Sequence, residues 1–430
     1  MTTQIKRRAF LKQGSVLAAG ISTLGGSAMA RLAGKSANEK VLVGIIGCNG
    51  RGMAHIAGYL AEPNAEIAYV CDVDGRALER GIAAVTKKQE HKPSGVKDLR
   101  QMLEDKQLDA VSIAMPDHWH APAAILACNA GKHVYVEKPG SHNPRESELM
   151  VAAAKKHKRQ VQMGNQRRSW PWVIDSIEAV KGGGIGKVFS ARTWYTNHRP
   201  TIGRGKPASV PDWLDYSLWQ GPAPEQSYRD NILHYNWHWF WNWGTGEIGN
   251  NGVHFLDLAR WGLGVDYPCR VTCGGGRYHF DDDWQTPDTY AATFDFGDKF
   301  ISWDGQSCDP RGFEGESVGV NFFGEKGCVS IAGNNCRIYD LNDKIVREIK
   351  GKGDDVLHFR NFIQAIREGE QLKSDIEDGQ KSTMLCHLGN IAVRTGQTVD
   401  FDPAKKRIVA NGKAEKLWRR EYRKGWEPSV

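Results

Sequence analysis

The chain has 430 residues, 40% of them hydrophobic and 25% charged, which implies a two-domain globular protein and excludes a disordered one. Its formal charge of +7 leans on Lys6, Arg7, Arg8 and Lys12; taking those four away leaves +3, too little for a nucleic-acid-binding face. No apolar run approaches the ~18 residues that a membrane span requires.

Residues 6–12 read Lys-Arg-Arg-Ala-Phe-Leu-Lys and lead through a mild apolar run to Ala28-Met29-Ala30. A basic start, a short apolar stretch and a small-x-small cleavage site make a signal peptide over residues 1–30, cleaved near Ala30. The paired arginines before Phe-Leu-Lys resemble the twin-arginine export signal. That implies the twin-arginine export machinery as a partner and a periplasmic location reached in the folded state. No cysteine precedes Cys48, so a lipid anchor is not expected. The nine cysteines are odd in number and irregular in spacing, which points to buried thiols; Cys269/Cys273 and Cys328/Cys336 are the pairs to check.

From residue 38 to 165, short apolar runs alternate with helical patterns. Strands are expected at Val41–Ile46, Glu66–Cys71, Val111–Met115, His133–Val136 and Gln160–Met163, with helices at 52–61, 120–130 and 144–157. Parallel strands need such crossovers, so an α/β Rossmann domain is expected. The first strand runs into Gly47-Cys48-Asn49-Gly50-Arg51-Gly52. This turn suits a backbone that approaches a pyrophosphate at a helix N-terminus, with Asn49 where the middle glycine of G-x-G-x-x-G usually stands. Asp72 lies 20 residues beyond Gly52, at the end of the second strand, where a carboxylate accepts the adenosine ribose hydroxyls and repels a 2′-phosphate. NAD is therefore expected rather than NADP, with Arg76 as the one residue that argues the other way.

Ligands bind such sheets beyond the carboxyl ends of the strands. Met115-Pro116-Asp117-His118-Trp119-His120 and Glu137-Lys138-Pro139 stand there. Pro116, Asp117, His120 and Glu137 are candidate cofactor contacts. Lys138 is a candidate to hold or pass the proton of a reacting hydroxyl.

Residues 166–430 read as a second domain. A strand at 187–196 contains Tyr195, and about 36 residues rich in Pro and Gly follow, long enough to imply a functional loop. Asn236-Trp237-His238-Trp239-Phe240-Trp241-Asn242-Trp243-Gly244, if extended, places four tryptophans on one face, a surface suited to pyranose rings. Eleven of the 15 tryptophans fall between Trp170 and Trp284. Glu247–Trp261 reads as a helix with Asn250, His254 and Asp257 on one stripe, where Asp257 is expected to fix the tautomer of His254. Strands at Tyr290–Phe296, Phe300–Trp303 and Val318–Phe323 and helices at 354–368 and 376–395 complete an α+β domain with a large, mainly antiparallel open sheet. His234/His238, His118/His120 and Asp281–Asp283 complete no known ligand set, so no metal is expected.

The nucleotide turn, the Pro116…His120 segment, Glu137-Lys138-Pro139 and the Gly246–Asp257 segment together resemble the Gfo/Idh/MocA oxidoreductases. The resemblance spans about residues 38–400. It implies that Lys138 is catalytic and that Asn250 and His254 align with the family's Asp-x-x-x-His pair, with Asn250 in place of the acid. It also implies hydride transfer between nicotinamide and a hydroxyl-bearing carbon of a sugar, glycoside or polyol. Lys138 and His254 would handle the proton, and Tyr195, Trp237, His238 and Asn250 would position the ring. A homo-oligomer formed through the free sheet face is implied as well. Two other activities occur among such proteins: a glycosidase that uses NAD transiently to permit elimination, and a nucleotide-bound binding protein without turnover.

Overall fold

In the computed structural model, residues 40–430 are described, so the basic segment with its export-signal reading lies outside the described residues. Six strands, β1 Val41–Ile46, β2 Ala65–Cys71, β3 Ser94–Val96, β4 Ala110–Ile113, β5 His133–Val136 and β6 Val161–Met163, form a parallel sheet in the order β3-β2-β1-β4-β5-β6. The central strands are near-continuous apolar runs because helices cover both faces. Val41, Val43 and Ile45 are fully buried. The crossovers include the helices Arg51–Leu60, Asp117–Asn129 and Pro144–His157, the last with Asn143 accepting from the Glu146 amide as its cap and proline at its start.

Ten further strands make the second sheet: β7 Val188–Thr196, β8 Arg270–Gly276, β9 Thr289–Asp295, β10 Phe300–Gln306, β11 Val318–Gly324, β12 Gly327–Ala332, β13 Asn335–Asp340, β14 Ile345–Lys350, β15 Val399–Asp402 and β16 Arg407–Ile408. Their order is β14-β13-β12-β11-β7-β10-β9-β8-β15-β16. All neighbours are antiparallel except β7 and β10. The helices Val253–Leu263 and Ile376–Thr395 cover one face, burying Leu256, Leu388, Trp303 and Phe322 between helix and sheet. The opposite face leaves Phe189, Phe300 and Val346 exposed. All nine cysteines, including the two pairs singled out above, are free thiols. No described helix is long and apolar enough to cross a membrane.

Three ties hold the two sheets in one unit. The helix Val356–Glu368, late in the chain, packs Phe359 and Phe362 into the core of the first sheet beside Tyr59 and Tyr135. The segment after β7 reaches back across the nucleotide edge, where Gly75 N donates to Trp213 O (2.9 Å) and Asp215 N to Val73 O (3.0 Å). The last residues strap the first domain from outside: Trp426 meets Trp119 edge-on, and Tyr422 donates to Glu146.

The expected pairing of Asp257 with His254 is not what forms. Asp257 takes a two-pronged ion pair from Arg168 (2.7 and 2.8 Å) and the hydroxyl of Ser382 (2.6 Å). Arg168 also reaches Asp378 at 2.6 Å. His254 and Asp257 lie three residues apart on the same helix, Val253–Leu263, but Arg168 and Ser382, both distant in sequence, take up the Asp257 carboxylate. Arg168→Met would leave a carboxylate that is 1% exposed without its cation. We expect a loss of about 3–5 kcal/mol in denaturant unfolding, the cost of breaking one half of a buried pair.

Candidate active site

The turn after β1 is shaped by its glycines. Gly47 has φ of 84°, and a Cβ there would lie 2.6 Å from Ala114 O; a Cβ on Gly52 would lie 1.8 Å from Gly47 O. The helix Arg51–Leu60 begins with no side-chain cap; Gly52 N and Met53 N donate to the turn carbonyls of Asn49 and Gly50 (2.8 and 3.2 Å), and the positive end of the helix faces the turn, where an anion is favoured. Asp72 closes the turn from behind, accepting from Cys48 N (2.7 Å) and Asp74 N (2.8 Å). Burial pushes its carboxyl up, and those two amides pull it back. This cradle fits a dinucleotide pyrophosphate, with Asp72 at the ribose. Asn49, in the middle-glycine position, accepts from Arg80 at 3.3 Å.

The turn opens into a cleft of about 390 Å³ that runs between the two sheets. Gly47, Asn49, Gly50, Arg51, Asp72, Pro116, Asp117, His120, Glu137 and Lys138 line it from the first domain, and Trp237, His238 and Asn250 from the second. Gly52 sits under the turn, and His254 and Tyr195 stand outside the lining.

Several of these side chains are already committed. Glu137 accepts from Arg51 Nε (2.6 Å) and lies 3.0 Å from His55 Nε2. Burial opposes its ionisation, but Arg51, His55 and Lys138 outweigh that and hold its carboxyl well below the usual range. Arg51 spends a second nitrogen on Asp355 at 2.7 Å. Asp117 accepts from Thr245 N and Oγ, which ties the helix Asp117–Asn129 to the second domain. His120 places its ring nitrogens 2.5 Å from Pro139 O and 2.7 Å from Met115 O, bracing the ends of β4 and β5. These groups shape the cleft.

Lys138 stands apart. Its Nζ donates to Asn250 O at 2.7 Å and lies 3.4 Å from Asn250 Oδ1, across the gap between domains. Burial lowers its pKa, and Glu137 and Asp117 only partly oppose that. Asn250 in turn donates to Glu247 at 3.2 Å. His254 is held neutral by burial and by the nearby cations of Arg167 and Lys138, with Nδ1 buried and without a partner.

The aromatic segment is not extended. Asn236–Trp239 forms a 3₁₀ turn and a tight turn follows, so the four tryptophans diverge. Trp239 stacks on Trp284 at 4.0 Å, Trp243 meets Trp219, and Trp241 lies under Arg394. Only Trp237 reaches the cleft, stacked on His238 at 3.6 Å. His238 Nδ1 lies 2.6 Å from Tyr235 O; an Nδ1–H donated there leaves the Nε2 lone pair free. Burial brings the ring down to about 3. Tyr195 accepts from Arg199 (3.0 Å) and Asn197 (2.7 Å), and Arg199 also donates to Tyr235 and pairs with the fully buried Glu247. Tyr195 thus supports the wall from behind. Trp119, Trp219, Tyr235 and His234 line the cleft without having been singled out, and neither had the Arg199–Glu247 pair. The density of tryptophan pointed to this region, but which ring turns inward depends on turns that composition does not encode. Among the described residues no group of three or more His, Cys, Asp or Glu side chains is placed to hold a metal.

Two family descriptions match the chain: "Oxidoreductase family, NAD-binding Rossmann fold" over residues 41–165 and "Oxidoreductase family, C-terminal alpha/beta domain" over residues 188–428. The chain belongs to the Gfo/Idh/MocA oxidoreductase family. A levoglucosan dehydrogenase of Pseudarthrobacter phenanthrenivorans is 27% identical over 53% of this chain and 52% of its own. A Glycosyl hydrolase family 109 protein of Saccharopolyspora erythraea is 36% identical over 29% of this chain and 28% of its own. The matched stretches therefore span about a quarter to a half of these curated relatives. The crystal structure of the WlbA dehydrogenase from Bordetella pertussis, in complex with NADH and UDP-GlcNAcA, shares the fold with a TM-score of 0.64 at 21% identity, covering 85% of this chain and 99% of that one.

Proposed function

We propose that this family member moves a hydride between nicotinamide and a hydroxyl-bearing carbon of a sugar, glycoside or polyol. The observation that carries the reading is the half-buried amine of Lys138, held at the cleft by the carbonyl of Asn250. NAD, when bound, accepts or returns the hydride. In the oxidising direction a neutral Lys138 Nζ takes the hydroxyl proton; in the reducing direction its ammonium gives the proton back. Burial favours the neutral amine, which a general base requires. Asn250 positions that amine, and the neutral His254 packs behind it on the next helical turns. Trp237, His238 and Tyr235 supply the floor for a ring, and a levoglucosan-like sugar is the first substrate to try, given the dehydrogenase relative.

NAD is the cofactor this reading favours over NADP. Asp72 stands where a 2′-phosphate would go, and Arg76, the cation that would welcome one, is paired with Asp74 (3.1 Å) and lies 3.4 Å over Trp213. A second reading, hydrolysis of a glycoside through transient oxidation and elimination, draws on the glycosyl hydrolase relatives. It yields cleaved glycoside without net NADH, whereas a dehydrogenase accumulates NADH. A binding protein without turnover has no use for the half-buried lysine. Export through the twin-arginine machinery to the periplasm, and a homo-oligomer formed through the open sheet face, belong to the same proposal.

Four outcomes are expected. Lys138→Met should keep the fold and bind NAD while turnover falls by at least ~10²-fold, the usual loss on removing a positioned proton-transfer group. In the wild type, because the folded pKa lies below the usual 10.5, oxidation should speed up as pH rises through that lowered value, and reduction should slow through it; a flat profile in both directions contradicts the assignment. Calorimetry should find tighter binding of NAD than of NADP, with the difference lost in Asp72→Ala; equal affinities in the wild type would overturn the cofactor preference. Arg7→Lys with Arg8→Lys should leave folded protein in the cytoplasm, and efficient export of that variant would dismiss the export reading.

A further inference from the structure

A second cavity, of about 260 Å³, lies on the other side of the Asn242–Thr245 segment from the nucleotide cleft and shares no lining residue with it. His142, Trp241, Asn390, Arg394, Arg419 and Arg420 line it. Three guanidinium groups thus meet around a space whose lining holds one carboxylate, Glu421.

The hydrogen bonds there are incomplete. Arg420 donates from Nη2 to Asn242 O (2.9 Å) and from Nε to Glu421 O (3.4 Å), but its Nη1 is buried without an acceptor. Both ring nitrogens of His142 are likewise buried without partners. A neutral imidazole carries one N–H, so His142 and Arg420 each offer a donor with nothing to receive it. Asn390 Oδ1 and the second ring nitrogen of His142 are the unpaired acceptors among these side chains. Glu146 stands behind His142, its carboxylate occupied by the His142 amide (2.9 Å) and the Tyr422 hydroxyl (2.9 Å).

Several other arginines are paired directly with an acid. Arg51, Arg168 and Arg199 each hold a carboxylate at 2.6–2.8 Å. Arg394 and Arg420 hold none; Arg394 instead lies 4.6 Å over the Trp241 ring. Burial lowers the pKa of both, and at Arg420 the Glu146 carboxylate only partly offsets it. Buried donors without acceptors are rare in folded proteins and ask for a ligand or ordered water to complete them.

We propose that this cavity is a second binding site, taking the oxyanion group of a small ligand, a phosphate or a carboxylate, between Arg394, Arg420 and His142. Charge-assisted hydrogen bonds from two guanidinium groups give such a group both its affinity and its orientation. The site is independent of the hydride-transfer reading, because Arg394, Arg420 and His142 do not line the nucleotide cleft.

The test uses the holoenzyme with NAD at saturation, so that the pyrophosphate cradle is filled. Inorganic phosphate and, separately, glucuronate are titrated calorimetrically in a zwitterionic buffer at constant ionic strength. At least one of them should bind saturably, once per chain. Arg420→Met and, separately, Arg394→Gln should each weaken that binding by at least ~10-fold, the effect of losing one charge-assisted contact. Arg394 is exposed at the rim, so its variant should fold even if Arg420→Met loosens the C-terminal strap. Binding of phosphate alone identifies a phosphate ligand, and binding of glucuronate a carboxylate; either supports the site. No saturable heat with either anion, or binding that survives both substitutions, overturns it and leaves ordered water as the occupant.

Discussion

The hydrogen bond from Lys138 to the carbonyl of Asn250 spans the gap between the two sheets, and the candidate chemistry depends on it. A lysine at a strand end is ordinarily a solvated charge. Here burial lowers its pKa, and one backbone oxygen on a π turn of the second domain fixes its amine. A backbone acceptor holds an amine without ionising it, which a carboxylate at position 250 would oppose by favouring the ammonium. Asn250 in place of the family's acid is therefore consistent with a lysine kept close to its neutral form.

Such an arrangement requires that the two sheets do not drift apart. The ties are physical and spread along the chain: the Phe359 helix in the first core, the Trp213–Val73 clasp at the nucleotide edge, Asp117 on Thr245, and the C-terminal strap over Trp119. The clasp has an added effect. Its Trp213 ring also stacks on Arg76, which pairs with Asp74, and that occupancy supports the NAD reading proposed above.

Much of the first domain was legible from pattern. β1, β5 and the helix Pro144–His157 lie where apolar periodicity and capping placed them, because doubly buried parallel strands and a proline-started, asparagine-capped helix leave strong local signals. β3 left none: three residues at a sheet edge, mostly exposed, carry no period. The second domain was harder. Alternation marked β7, β9, β10 and β11, but the aromatic segment alternates equally well as a strand or as a run of turns, and tertiary packing on Trp284 and Trp219 decided for turns. Asp257 stands on the same helix as His254, but its partner Arg168 is 89 positions away in sequence, and no local pattern shows that pairing. Arg51 and Glu137 both line the cleft, but their pairing with each other, across 86 positions, leaves no local signal.

The central claim is that a hydroxyl-bearing carbon is oxidised in this cleft at the cost of a bound nicotinamide. Stopped-flow absorbance of the NAD-loaded protein mixed with its sugar substrate tests it most directly. The account predicts that reduced nicotinamide forms within the first turnover, lasting or transient, and more slowly when the transferred hydrogen is replaced by deuterium. Product formation with no reduced nicotinamide at any time would contradict it.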